Sequence, residues 1–263
     1  MKLEILENNP KILKSEKPFL FLHGMYHGAW YYNKNFLPYL EKQGYKAYAL
    51  SFSNHGNSVK RKNINFLTIN QYVADVKEAI QYIRKEPCLV GHSMGGYVIQ
   101  KYLETNENES NVLLASVPPF GNWGTTFNVL KKFPLSFLKA NLLLNLKTLV
   151  MNKKLYLNLM FSNTQAFDDV EEYYNMLDNE SFGAYFGMLG FNLIKPKKIK
   201  SKIIVMGGEI DNAIVVKEVI QTAKIYNTKP IVFEGICHDM MLDKQWQKVI
   251  DTIVDNTMKN TNN

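Results

Sequence analysis

The sequence predicts an α/β protein with a mostly parallel central sheet flanked by helices and a helical insertion. Three observations predict it. Apolar runs of strand length alternate with stretches of helical period, one long helix-rich block interrupts the alternation, and the 263 residues, 46% hydrophobic and 21% charged, suffice for one large core without staples.

Taken in order, residues 18–23 (Pro-Phe-Leu-Phe-Leu-His), 45–51, 88–92, 112–116, 202–207 and 230–234 each have the length of a buried strand. Helical patterns lie between them. The clearest is 67–85, where Ile69, Tyr72, Val73, Val76, Ile80 and Ile83 recur three or four apart and Pro87 is expected to stop the helix. Strands alternating with helices imply right-handed βαβ units and therefore a parallel sheet. Residues 120–200 are rich in Leu, Phe, Tyr and Met and offer no strand, so they are expected to form a helical cap over the carboxyl end of the sheet. The core domain is then discontinuous, 1–119 and 201–263, with the polar tail 256–263 expected to fray.

Composition narrows the function classes. The net charge is +7, but Arg61 and Arg84 are the only arginines among 31 basic residues, and no nucleic-acid motif or zinc-ligand cluster is present. Bidentate reading of bases and phosphates favours arginine, so nucleic acid is not an expected partner. Cys88 and Cys237 make no disulfide framework, and the chain lacks a signal-like start and any apolar run of about 18 residues. The expectation is a cytoplasmic protein, monomer or homodimer. Residues 131–154 carry six lysines and no acid beside a Leu/Phe/Val-rich face. A membrane-surface helix has that pattern, although a cap packed on its own core with solvated lysines has it more often and is the favoured reading.

The chemistry concentrates in Gly91-His92-Ser93-Met94-Gly95-Gly96, at the end of the third strand pattern and the start of a helix expected from Met94 to Leu103. Flanking glycines permit a tight turn that lifts a serine hydroxyl above a sheet, and the helix amino terminus supplies free N–H groups. A serine hydroxyl needs a base. Of the five histidines, His92 is expected to point away from its neighbour, and His23 and His27 to hold loop structure. His238, in the loop after the last strand, overhangs the carboxyl edge where open α/β sheets bind ligands. A carboxylate must orient it. Asp211, just past the strand at 202–207, is preferred over Glu209, and Asp239 and Asp243 read as surface or helix-capping groups. The amides of Met94 and of Met25, in His23-Gly24-Met25-Tyr26-His27-Gly28-Ala29-Trp30, are candidates to hold an oxyanion. Cys237 reads as a packed thiol.

These motifs resemble the α/β-hydrolase superfamily over essentially the whole chain, and its capped serine carboxylesterases in particular. The His-Gly-x-x-His-Gly-Ala-Trp form is similar to the plant methylesterase and hydroxynitrile lyase group and its bacterial relatives. The resemblance implies Ser93 as nucleophile, His238 as base, Asp211 as its orienter and the Met25 and Met94 amides as oxyanion hole, with no metal and no cofactor. Dehalogenases and epoxide hydrolases of the superfamily carry aspartate where Ser93 stands. The similar lyases carry threonine at Gly24 and lysine at Asp239, which disfavours cyanide chemistry here.

The expected activity is hydrolysis of a small-molecule carboxylic ester with an apolar acyl or aryl part. Gly24, Tyr26 and Met240, with the cap aromatics Trp123, Phe182 and Phe186, are expected to bind it, though each also fits core packing. A lysophospholipase or monoacylglycerol lipase at a membrane surface is the second reading. Carbon–carbon bond hydrolysis, perhydrolytic chemistry and a non-catalytic ligand receptor follow.

Overall fold

A two-residue alternation of apolar side chains builds the sheet. The computed structural model describes residues 2–61 and 63–258. Its seven strands are β1 (Ile5–Glu7), β2 (Phe19–Leu22), β3 (Ala47–Leu50), β4 (Cys88–His92), β5 (Asn111–Leu114), β6 (Ile204–Gly208) and β7 (Pro230–Phe233). They lie in the order β1-β3-β2-β4-β5-β6-β7. The six expected strands all form and pair in parallel, with Leu22 opposite Gly91 and Gly91 opposite Leu113 at the centre. β1 is an addition that runs antiparallel on β3, Ile5 opposite Leu50. Three partly exposed residues carry too little pattern to be read as a strand.

The helices are α1 (Trp30–Asn33), α2 (Phe36–Gln43), α3 (Ile69–Ile83), α4 (Met94–Leu103), α5 (Trp123–Lys132), α6 (Pro134–Leu142), α7 (Lys147–Val150), α8 (Lys153–Phe161), α9 (Phe167–Asn175), α10 (Phe182–Phe186), α11 (Val216–Ile225) and α12 (Trp246–Thr257). Phe19 and Phe21 face one core with Phe36, Leu40, Ile250 and Ile253, from α2 and α12. Leu20 and Leu22 face the other with Tyr72, Val76, Val98 and Val219, from α3, α4 and α11. Each fully buried side chain of this kind contributes about 1.5–3 kcal/mol.

α3 is shorter than its pattern at both ends. Thr68 caps it, its N–H donating to Gln71 Oε1 at 2.8 Å. Arg84, left-handed at φ 57°, closes it three residues before Pro87. Between β5 and β6 the described chain forms α5 to α10 and no strand. Of the polar tail, residues 256 and 257 form the last turn of α12 rather than loose chain, while 259–263 lie outside the described residues. No described helix is long and apolar enough to cross a membrane.

Candidate active site

β4 passes through Gly91 and His92 into a sharp turn at Ser93, from which α4 begins. Ser93 has φ 51° and ψ −116°, a conformation that costs a non-glycine residue about 1–3 kcal/mol and persists only where the surroundings impose it. Here Ser93 N–H donates to Leu114 O at 3.0 Å, and the Gly96 and Val117 N–H groups both donate to Ser93 O at 3.1 Å. A Cβ on Gly91 would stand 2.5 Å from Gly95 O, so only glycine lets the helix start lie this close to the strand. The turn sets Ser93 on the wall of a cavity that His238 also lines.

Asp211 follows β6 and His238 follows β7, and the sheet brings them to one edge. His238 Nδ1 lies 2.7 Å from Asp211 Oδ2. Asp211 Oδ1 accepts from the Ala213 and Ile214 N–H groups at 2.7 and 2.8 Å, which holds the carboxylate still. Because a carboxylate only accepts, Nδ1 carries the proton and Nε2 is left as the basic nitrogen. Burial opposes the imidazolium, but the Asp211 charge, its hydrogen bond and Asp239 outweigh it, raising the His238 pKa above the ordinary imidazole value. Glu209, the rival carboxylate, is exposed and accepts from Gly235 N–H at 3.0 Å.

The loop after β2 passes directly over the serine. A Cβ on Gly24 would come 2.9 Å from Ser93 Cβ and 3.0 Å from His92 Nδ1, so a side chain here would displace the turn. Among the described residues neither the Met25 nor the Met94 N–H donates a hydrogen bond. His23 is structural, Nδ1 facing Gly24 O at 2.7 Å and Nε2 accepting from Phe52 N–H at 3.1 Å. Burial, then the neighbouring His55, drives its pKa well down, so it stays neutral.

Two residues sit differently from expectation. His92 does not point away. Its ring lies 4.6 Å from that of His238, and its Nε2–H donates to His238 O at 3.0 Å, bracing the base loop. Burial and the positive potential of His238 keep His92 neutral. Asp239 is fully buried rather than at the surface. Tyr31 OH donates to its Oδ1 at 2.6 Å, and His27 Nε2 stands 3.3 Å from Oδ2, within ion-pair reach though without hydrogen-bond geometry. Burial alone would raise the Asp239 pKa, yet His27, with His238 and His92, holds it below the usual carboxylate value. His27 Nδ1–H in turn donates to Met25 O at 2.7 Å, so one buried network joins the Met25 loop to the residue beside His238. Asp243 is also buried, and its Oδ1 accepts from Gln245 N–H ahead of α12. Cys237 donates its thiol to Asp243 Oδ2 at 3.1 Å, and burial followed by that carboxylate pushes its pKa up and keeps it protonated.

Of the residues expected to contact substrate, Gly24 and Tyr26 line the cavity and the other four do not. Trp123 and Phe186 are exposed on the outside, while Phe182 and Met240 are packed into the core. The lining comes instead from Thr126 and Val129 of α5, Phe137 of α6 and Val150 of α7, with Leu159 and Met160 of α8. Val129 and Phe127, two residues apart, fall on opposite faces of any helix, and that much was readable in the sequence. Which face turns inward was not. Among the described residues no Lys, Arg, Asp or Glu lines the cavity.

Serine after β4, acid after β6 and histidine after β7, on a mostly parallel sheet, is the order in which α/β hydrolases supply these groups. The chain belongs to the alpha/beta hydrolase family, whose model matches residues 19–252. It is 33% identical over 110 residues to norfluorocurarine synthase 1 of a Strychnos species, a match covering 40% of this chain and only 41% of that protein. It is 30% identical over 187 residues to "Putative esterase/lipase 2" of Mycoplasma pneumoniae, covering 68% of this chain and 67% of that one. In three dimensions it resembles the monoacylglycerol lipase of Paleococcus ferrophilus, with a TM-score of 0.67 at 17% identity over 98% of this chain and 100% of that one, a likeness of fold.

Proposed function

We propose that the protein is a serine hydrolase that cleaves a carboxylic ester of a small or medium, uncharged, apolar substrate through an acyl-enzyme. His238 Nε2 takes the Ser93 Oγ proton as Oγ attacks the carbonyl carbon. The Met25 and Met94 amides donate to the oxygen that becomes negative, and His238 returns the proton to the leaving alcohol. A water deprotonated by His238 then attacks the acyl carbon, the acid departs and Ser93 regains its proton. In this reading residues 1–119 and 201–263 carry the chemistry, and 120–200 roof the cavity and select the substrate.

The observation that carries the reading is the buried 2.7 Å bond from His238 to Asp211 at the cavity into which the strained Ser93 turn opens. Near-absence of charged lining supports an uncharged ester, and the relative bearing the esterase/lipase name agrees with ester chemistry. Hydrolysis of p-nitrophenyl esters from acetyl to palmitoyl, with Ser93→Ala as the blank, tests it. Turnover is expected to fall about 10⁶-fold in Ser93→Ala. No Ser93-dependent turnover anywhere on the ladder would remove the ester reading. A long-chain optimum would select the lipid-ester form of it, for which the apolar outer faces of α5 and α6 are the supporting observation.

A further inference from the structure

α5 and α6 pack on each other and are apolar on two sides. Their inner faces turn Thr126, Val129 and Phe137 to the cavity and bury Ala140. Their outer faces expose Trp123, Phe127 and Leu130 on α5 and Leu135, Leu138 and Leu142 on α6, with Leu135 81% and Leu142 74% exposed. Each trio is spaced by three and four residues and so forms one stripe. Trp123 stacks on Phe127 at 5.7 Å, and the exposed Leu143 and Leu144 continue the surface beyond α6. Asn65 Nδ2 donates to Leu144 O at 2.8 Å, which brings in the short turn that carries the exposed Phe66. Isolated exposed leucines are ordinary, whereas a continuous set on adjoining helices marks a contact surface. The described chain covers only the inner face of these two helices.

The charge says what covers the other. No acid occurs between Glu109 and Asp168, while Lys131, Lys132 and Lys139 are exposed on α5 and α6 and Lys154 on α8. None of these four makes an ion pair among the described residues. Lys139, four residues after Leu135 and three before Leu142, shares their face of α6 and is exposed. A symmetric contact with a second copy would set one lysine-rich face against another. An anionic lipid surface matches both the leucines and the lysines.

We propose that the outer face of α5 and α6 docks on an anionic bilayer, its leucines entering the headgroup–acyl boundary and its lysines pairing with lipid phosphates. The roof of the cavity is then the membrane-facing wall of the protein. This goes beyond the ester reading and does not depend on turnover. The test is flotation of the full chain with vesicles of phosphatidylcholine alone and of phosphatidylcholine with roughly one third phosphatidylglycerol, at low and high salt. Binding is expected to anionic vesicles, weakened by salt, and to fall about tenfold or more in Leu135→Ser/Leu138→Ser/Leu142→Ser and in Lys131→Glu/Lys132→Glu/Lys139→Glu. Both variants should keep the wild-type thermal unfolding transition, since the replaced groups are exposed. Absence of vesicle binding, binding indifferent to lipid charge, or a homodimer that the leucine variant dissociates while vesicle binding is absent would each overturn the proposal.

Discussion

His238 is held between burial, which disfavours its charge, and Asp211 with Asp239, which favour it. The carboxylates prevail, and under the proposed reading His238 must be neutral to act as base, so activity is expected to fall as pH drops through a pKa above the ordinary value of about 6.5. The acid limb of kcat/KM on an uncharged ester is therefore expected above that value. Asp211→Asn removes the larger favourable charge. It should move the limb to lower pH and reduce kcat roughly 10⁴-fold, as a pH–rate profile of the two proteins will show. A limb unmoved by Asp211→Asn would detach this carboxylate from the base. That Ser93, His238 and Asp211 would come to one sheet edge was legible in the sequence, because each stands a few residues beyond a recognisable strand. The network of Asp239, His27 and Tyr31 was not, because Tyr31 and Asp239 are 208 residues apart and nothing local signals their meeting.

At the scale of elements, the segment between α9 and α10 is fastened to the core by buried polar groups. Glu180, fully buried, accepts from Tyr72 OH at 2.8 Å and from its neighbour Ser181 N–H at 2.7 Å, and faces His55 Nε2 at 3.2 Å. Asp178 accepts from Gly56 N–H at 2.7 Å, and its own N–H donates to Tyr26 O at 2.8 Å. Burial lowers the His55 pKa but Glu180 more than compensates, so the folded value lies above the unfolded one. The pair thus contributes fully below the unfolded imidazole value and is lost as pH rises through the folded one. Glu180→Ala strands His55, Tyr72 OH and Ser181 N–H, and should cost about 3–5 kcal/mol in urea unfolding near pH 6. It should also flatten the decline of stability above that pH. An unfolding midpoint equal to wild type would show that this clamp does not bear on stability.

Across the whole molecule, sheet edge and helical block enclose a space that no Lys, Arg, Asp or Glu among the described residues lines. A carboxylate carried into it would lose water and meet no lysine or arginine, and pairing with a protonated His238 would hold the base in its inactive form. Between two esters of equal size, one neutral and one bearing a carboxylate on its acyl part, the neutral one is expected to be cleaved at least about tenfold faster in kcat/KM. Equal rates would place the acyl group outside this cavity. The same roof explains why the helical block was read only in part. Its lysines and leucines suggested a cover packed on its own core, and one side is, but the other presents its leucines outward.

The parallel sheet, its flanking helices and the elbow were determined by sequence alone, because apolar runs of strand length, three-to-four-residue periods and the Gly-x-Ser-x-Gly spacing are all local signals. Tertiary structure decided the rest. The short antiparallel β1 exists only because β3 offers it a partner. The inward face of each roof helix, and the burial of His92 and Asp239 beside His238, are set by what lies across the fold. A residue's type and spacing say that it will be buried or reactive, and only packing between distant segments says against what.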